Sequence, residues 1–140
     1  ELDRPAKEKV IGRRLGTGAP LTGEQEHDEP DFAALGPAGF PVIPDISHLR
    51  RARMDVPEYG MLRRGYNFVD GTTHLGSLNA GLFFIAFVRN PAESFIPMQK
   101  SLSDNDALNE YITHTGSGIF ACPPGVRDGS SDYWGSTLLG

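Results

Sequence analysis

The clearest alternation in the chain runs from Met61 to Phe68, MLRRGYNF, and predicts a β-strand. Side chains on a strand point alternately to its two faces. Met61, Arg63, Gly65 and Asn67 therefore share one face and Leu62, Arg64, Tyr66 and Phe68 the other, so the two arginines point opposite ways. A glycine-containing connection, DGTTHLGS, leads to LFFIAFV, where apolar residues fill both faces as in a buried central strand. Together the two segments predict an antiparallel hairpin. Beyond Asn90-Pro91 the period changes: Phe95, Met98 and Leu102 have helical spacing, and Ala107, Leu108, Tyr111 and Ile112 predict a second helix. Ser103 followed by Asp106 fits a capping box at its start, and Thr115 to Gly118 ends it. IFACPP predicts a last strand, interrupted by Pro123-Pro124, and the tail DYWGSTLL is apolar enough to dock.

Upstream of the hairpin the pattern is weaker. Charges are dense up to Arg14, and Val10-Ile11 before GRRLGTG predicts a short element leading into a turn. The proline-rich stretch that follows, up to Asp45, has little periodicity and predicts ordered irregular structure wrapping over a surface. Hairpin, helices, strand is the order expected of half a ferredoxin-like α+β sandwich, with helices on one face of an antiparallel sheet. The other face is left for a ligand. Residues 1–140 are expected to form one module, with 1–47 wrapping and 48–140 supplying sheet and helices.

Composition narrows the classes of function. A hydrophobic share of 39% with 22% charged residues fits a folded, loop-rich protein with a core. The net charge of -5, with arginines scattered among acids, argues against nucleic acid as a partner. Cys122 is the single cysteine, so neither an intrachain disulfide nor a cysteine-based zinc site can form. The longest apolar run, Leu82 to Val88, is far short of the roughly 20 residues a membrane-spanning helix needs. The sequence opens on Glu1 in a charged stretch, without initiator methionine or signal peptide, so a processed or truncated longer chain is expected.

Candidate chemistry centres on His48, in PDISHLRRAR. Spacing alone leaves two readings: a structural histidine held by hydrogen bonds, or an imidazole that binds haem iron while arginines 50, 51 and 53 meet the haem carboxylates. Read by themselves, Arg63 and Arg64 are solvated strand charges, Arg13 is a surface cation, and Phe84, Ile85 and Phe87 are core. His27, His74 and His114 have no ligand-like spacing.

The order GRR, TGAP, H-[IL]-R, MLRRGYN, AGLFFIAF, a QK helix, DALNEY, HTGSGIFACPPG and DYWGS resembles bacterial dye-decolourising peroxidases of the secreted type. The resemblance covers nearly the whole chain and implies the C-terminal half of a two-module, ferredoxin-like fold that binds haem b. It implies that His48 is the axial ligand of the iron and that Arg63, the first arginine of LRRG, is the distal catalytic arginine. A guanidinium stays charged, so its role would be to stabilise developing negative charge. Arg13, in GRR, is similar to a haem-propionate contact. Arg53 is a second such candidate, although the family commonly reads ANPR where this chain has Ala52-Arg53-Met54-Asp55. Asp106, aligned with a helix-borne acid of the family, would orient His48, with Glu110 as the alternative. Phe84, Ile85 and Phe87 would wall the haem. Tyr66, Tyr111, Tyr133 and Trp134 are candidate radical sites for bulky donors, and Phe68 stands where many relatives have a tyrosine.

The family's other signature, GxxDG, carries a distal aspartate that shuttles the peroxide proton. That motif is expected to be absent from this chain: Val69-Asp70-Gly71 offers only the DG, with Tyr66 where the leading glycine should be, and Asp70 reads as a turn residue. The resemblance thus implies that this aspartate comes from a companion chain, the N-terminal half of the same peroxidase. Half a sandwich also cannot close a haem pocket alone. The expected activity is oxidation of dyes, phenols or similar aromatic reductants by hydrogen peroxide, with an extracellular or periplasmic location; a homo-oligomer is compatible. Two other readings are a deferrochelatase handling haem in iron uptake and a non-catalytic ferredoxin-like binding domain.

Overall fold

The computed structural model describes residues 2–53, 60–127 and 132–136. A first helix, α1 (Arg4–Ile11), begins where the Asp3 carboxylate accepts from the Ala6 N–H at 2.9 Å, with Pro5 in its first turn. It ends at Gly12, whose φ of 88° lets the chain turn away while its N–H still donates to the Glu8 carbonyl. The loop that follows is cross-linked throughout. The Asp28 carboxylate accepts from the Gln25 and Glu24 N–H groups, which holds it below the usual carboxylate range. Glu8 is lowered likewise by the Leu15 N–H and by Arg4.

The loop ends in α2 (His48–Ala52), which packs against both α1 and the later helix α3 (Phe95–Asn105). The core sits here. Ala19, Ile43 and Met98 are the buried hydrophobic residues, and Ser47 and Asp106 are buried beside them. The wrapping segment expected at 1–47 therefore supplies Ala19 and Ile43 to this core, and its Pro20 is fully buried as well.

Gly12 is the tightest joint of this cluster. A Cβ added there would lie 2.8 Å from the Leu49 Cβ and 3.2 Å from the Ser47 Oγ, the two neighbours of His48. Together with the left-handed backbone, Gly12→Ala should destabilise by roughly 2–4 kcal/mol, read as a lower denaturant midpoint. An unchanged midpoint would mean that α1 and α2 are not seated on each other in this way.

Between α2 and α3 lies the hairpin, β1 (Leu62–Thr72) and β2 (Leu78–Phe87), paired antiparallel with an irregularity between Val69 and Thr72. The strands run farther toward the turn than the sequence suggests, because β1 passes through the irregularity at Asp70-Gly71, Thr72 resumes pairing with Leu78, and the turn closes at Thr73–Ser77. The α+β class holds, yet the expected burial of LFFIAFV does not: Phe83 is 61% exposed and Phe87 50%. Two strands alone cannot cover both of their faces.

Three further expectations are corrected. The helix expected over Ala107–Ile112 is a single 3-10 turn, Ala107–Glu110, capped by the Asp106 carboxylate. Ser103 lies inside α3 and donates to the Lys100 carbonyl, so it caps nothing. The strand expected at IFACPP pairs with nothing among the described residues, and Ile119 and Phe120 are more than four-fifths exposed. Prolines 123 and 124 remove two ladder donors there.

Candidate active site

His48 is the first residue of α2, because Ser47 holds an extended backbone and its N–H bonds the Pro44 carbonyl, turning the chain into the helix. Far along the sequence, Asp106 breaks α3 by adopting ψ 120° while its N–H still reaches the Leu102 carbonyl. The Ala107 N–H then donates to the Ile46 carbonyl at 2.8 Å, clamping this break against the start of α2. The consequence is a side-chain pair: Asp106 Oδ2 lies 2.6 Å from His48 Nδ1, and Asp106 Oδ1 accepts from the Leu108 N–H at 2.9 Å.

Both carboxylate oxygens are thus engaged, and the carboxyl is 2% exposed while the imidazole is 37% exposed. A carboxylate only accepts, so Nδ1 carries the hydrogen and Nε2 keeps its lone pair. This is the arrangement in which a histidine binds metal, with its second nitrogen oriented and made more basic by an acid behind it. Glu110, the other candidate acid, lies exposed on the 3-10 turn. Truncation by Asp106→Ala should strand the Leu108 and His48 N–H groups, costing about 2–4 kcal/mol in denaturant unfolding. Wild-type stability in that variant would show that the acid is not holding the two segments together.

The arginines around His48 are used unequally. Arg13 donates through Nη1 to the Gly18 and Glu26 carbonyls at 2.7 and 2.9 Å. Arg50 binds Asp45 at 2.6 Å and the Phe32 carbonyl. Arg53 binds Glu29 at 2.7 Å, and both Arg50 and Arg53 lie over the Phe32 ring. Arg51 has no side-chain partner among the described residues, and its Nε is buried. Met54 and Asp55 lie outside the described residues.

Register sorts the hairpin residues. Arg63 pairs with Ala86, Gly65 with Phe84 and Asn67 with Leu82, so these six share a face. Leu62 pairs with Phe87, Arg64 with Ile85 and Tyr66 with Phe83 on the opposite face. Phe84 can line a cavity together with Arg63, but Ile85 and Phe87 point away from it, so one pocket cannot be walled by all three. Arg63 is exposed and makes no hydrogen bond or ion pair among the described residues. Tyr66, Tyr111, Tyr133 and Trp134 are all at least half exposed.

The profile of the family "Dyp-type peroxidase, C-terminal" matches residues 2–127. The chain belongs to this family. It is 45% identical over 144 residues to a dye-decolorizing peroxidase of Thermobifida fusca, covering 99% of this chain and 32% of that protein. It is 41% identical over 140 residues to a deferrochelatase of Escherichia coli K12, covering 96% and 32%. The structure of an X-ray-generated oxyferrous/water mixed complex of DtpA from Streptomyces lividans superposes with a TM-score of 0.90 at 38% identity, covering 99% of this chain and 38% of that one. The fold is therefore the ferredoxin-like α+β fold of Dyp-type peroxidases. The chain spans about a third of the length of the curated relatives it matches.

No group of three or more His, Cys, Asp or Glu side chains is placed to hold a metal ion among the described residues, and none of their helices is long and apolar enough to cross a membrane. The expected absence of GxxDG is corrected by the sequence itself: Gly125-Val126-Arg127-Asp128-Gly129 fits the motif. It lies between the CPPG and DYWGS blocks, and Asp128 is outside the described residues. Arg51 was one of three neighbouring arginines in the sequence; the signal that distinguishes it, its place three residues after His48 on a helix, needs the helix to be known.

Proposed function

We propose that this chain is the haem-binding C-terminal part of a peroxidase that uses hydrogen peroxide to oxidise dyes, phenols or similar aromatic donors. The single observation that carries the reading is the His48–Asp106 pair, which leaves Nε2 of a half-exposed imidazole free and backed by a buried carboxylate. That donor set would suit the iron of a haem b, which His48 would hold. A bound haem supplies the redox chemistry, taking oxidising equivalents from peroxide and passing them to donors one electron at a time.

The chain's own residues have separable tasks. His48 anchors the iron through Nε2, and Asp106 fixes its tautomer and strengthens it as a donor. Arg63 binds the peroxide anion and steadies the negative charge that develops as its O–O bond lengthens. Phe84, on the same strand face, excludes water beside it. The proton of peroxide is moved by an aspartate of an N-terminal companion segment, with Asp128 of this chain as the alternative. Donors too large for the pocket are oxidised at exposed Tyr66, Tyr111, Tyr133 or Trp134. An extracellular or periplasmic location belongs to the same reading.

A second reading, haem handling in iron uptake, is favoured by the 41% identity to a deferrochelatase. One experiment separates them: the haem-loaded protein is mixed with hydrogen peroxide and a phenolic donor. Donor oxidation far faster than with free haem supports the peroxidase. Metal-free tetrapyrrole released with its ring intact supports the second reading, and neither product overturns both. Retained reactivity in Asp128→Asn would leave the proton to the companion.

A further inference from the structure

We propose that Asn109 is a positioning residue for the axial histidine: its side chain holds the break at the end of α3 and so keeps Asp106 behind His48. The inference rests on the haem reading above and deepens it.

The break runs against the local sequence. Ala107, Leu108, Tyr111 and Ile112 have helical spacing, and alanine and leucine favour a helix. In a continued helix the Ala107 N–H would turn from the Ile46 carbonyl to that of Ser103. The Leu108 N–H would likewise leave the Asp106 carboxylate for the Asp104 carbonyl. Both ties that set the acid would be lost.

Instead Asp106 holds ψ 120°, and three bonds close a ring around it. The Asp106 N–H donates to the Leu102 carbonyl at 3.2 Å, and the Asn109 N–H donates to the Asp106 carbonyl at 3.1 Å. Asn109 Nδ2 then donates to the same Leu102 carbonyl at 2.7 Å. A carbonyl oxygen has two lone pairs and takes both donors. The side-chain bond is the shortest of the three, so the Asn109 amide is the tightest tie across the break.

That tie exists only in the broken chain. Leu102 and Asn109 are seven residues apart. In a continuous helix that is about 10 Å of rise, beyond the reach of an asparagine side chain. The bond therefore stabilises one state selectively, the one in which Asp106 Oδ2 meets His48 Nδ1 at 2.6 Å. Asn109 itself is exposed and its side chain bonds α3, so its effect on the histidine passes through Asp106.

The test reads the iron–histidine stretching band of the ferrous, haem-loaded full-length protein by resonance Raman. Asp106→Asn, which takes the charge from behind the ring, marks the low-frequency limit. Asn109→Ala should shift the band toward that limit. So should Asn109→Asp, which keeps the shape of the side chain but has no N–H to donate. Ser103→Ala removes a comparable bond within α3, to the Lys100 carbonyl, and should leave the band in place. A wild-type band in either Asn109 variant, with or without a loss of stability, overturns the proposal and leaves the haem reading standing, as does an equal shift in Ser103→Ala. Absence of an iron–histidine band in wild type overturns both.

Discussion

Replacing His48 by alanine is expected to abolish the Soret band of the haem-loaded protein, or to shift it to that of haem without a nitrogen axial ligand. The imidazole is the one side chain in the described residues that combines a free, accessible ring nitrogen with a buried carboxylate on the other. Alanine is well tolerated in the first turn of a helix, so α2 itself should persist. The cost to the fold falls on Asp106, which loses one of its two donors but keeps the Leu108 N–H, an effect of about 1–3 kcal/mol. Far-UV circular dichroism should therefore stay close to wild type while the visible spectrum collapses. Added imidazole, bound in the vacated space, should restore part of the band. An unchanged Soret maximum in His48→Ala would refute the ligand assignment, whatever the activity did.

Arg63→Leu should lower the second-order rate of reaction with peroxide by about 10²–10³-fold while leaving the Soret band in place, since removing one preorganised charge-stabilising donor typically has that effect. The side chain is exposed and unpartnered within the described chain, so its loss should change stability by no more than about 0.5 kcal/mol. Strand register supplies the control. Arg64 pairs with Ile85 on the far face of the hairpin, and Arg64→Leu should leave the peroxide rate unaffected. Stopped-flow mixing measures both. Equal losses in the two variants would mean that bulk charge, not the face on which Arg63 stands, governs the reaction, and a loss confined to Arg64 would reverse the assignment.

These two expectations draw on different amounts of sequence. Opposed faces for Arg63 and Arg64 follow from the period of a strand, and the ladder adds the partners, including the finding that Phe84 stands with Arg63 while Ile85 and Phe87 do not. The choice between Asp106 and Glu110 could not be made from spacing. Both acids follow α3 within five residues, and the carboxylate that meets His48 is selected by where the backbone leaves the helix, with ψ 120° at Asp106 and a clamp from Ala107 to Ile46. The same break explains why Ala107 to Ile112 does not continue as a helix despite its apolar spacing: Asp106 caps a 3-10 turn and holds the imidazole at the same time.

Local periodicity alone determined the hairpin, the α3 helix and the opposition of the two arginines, because each depends on neighbours within a few residues. The ordered run of motifs pointed to the family and to His48. Only the tertiary structure decided which acid stands behind that histidine, which of the clustered arginines is left without a partner, and that the core lies under α2 and not in the hairpin. Those outcomes depend on contacts between segments as far apart as His48 and Asp106, and no local pattern encodes which distant group arrives first at a given donor.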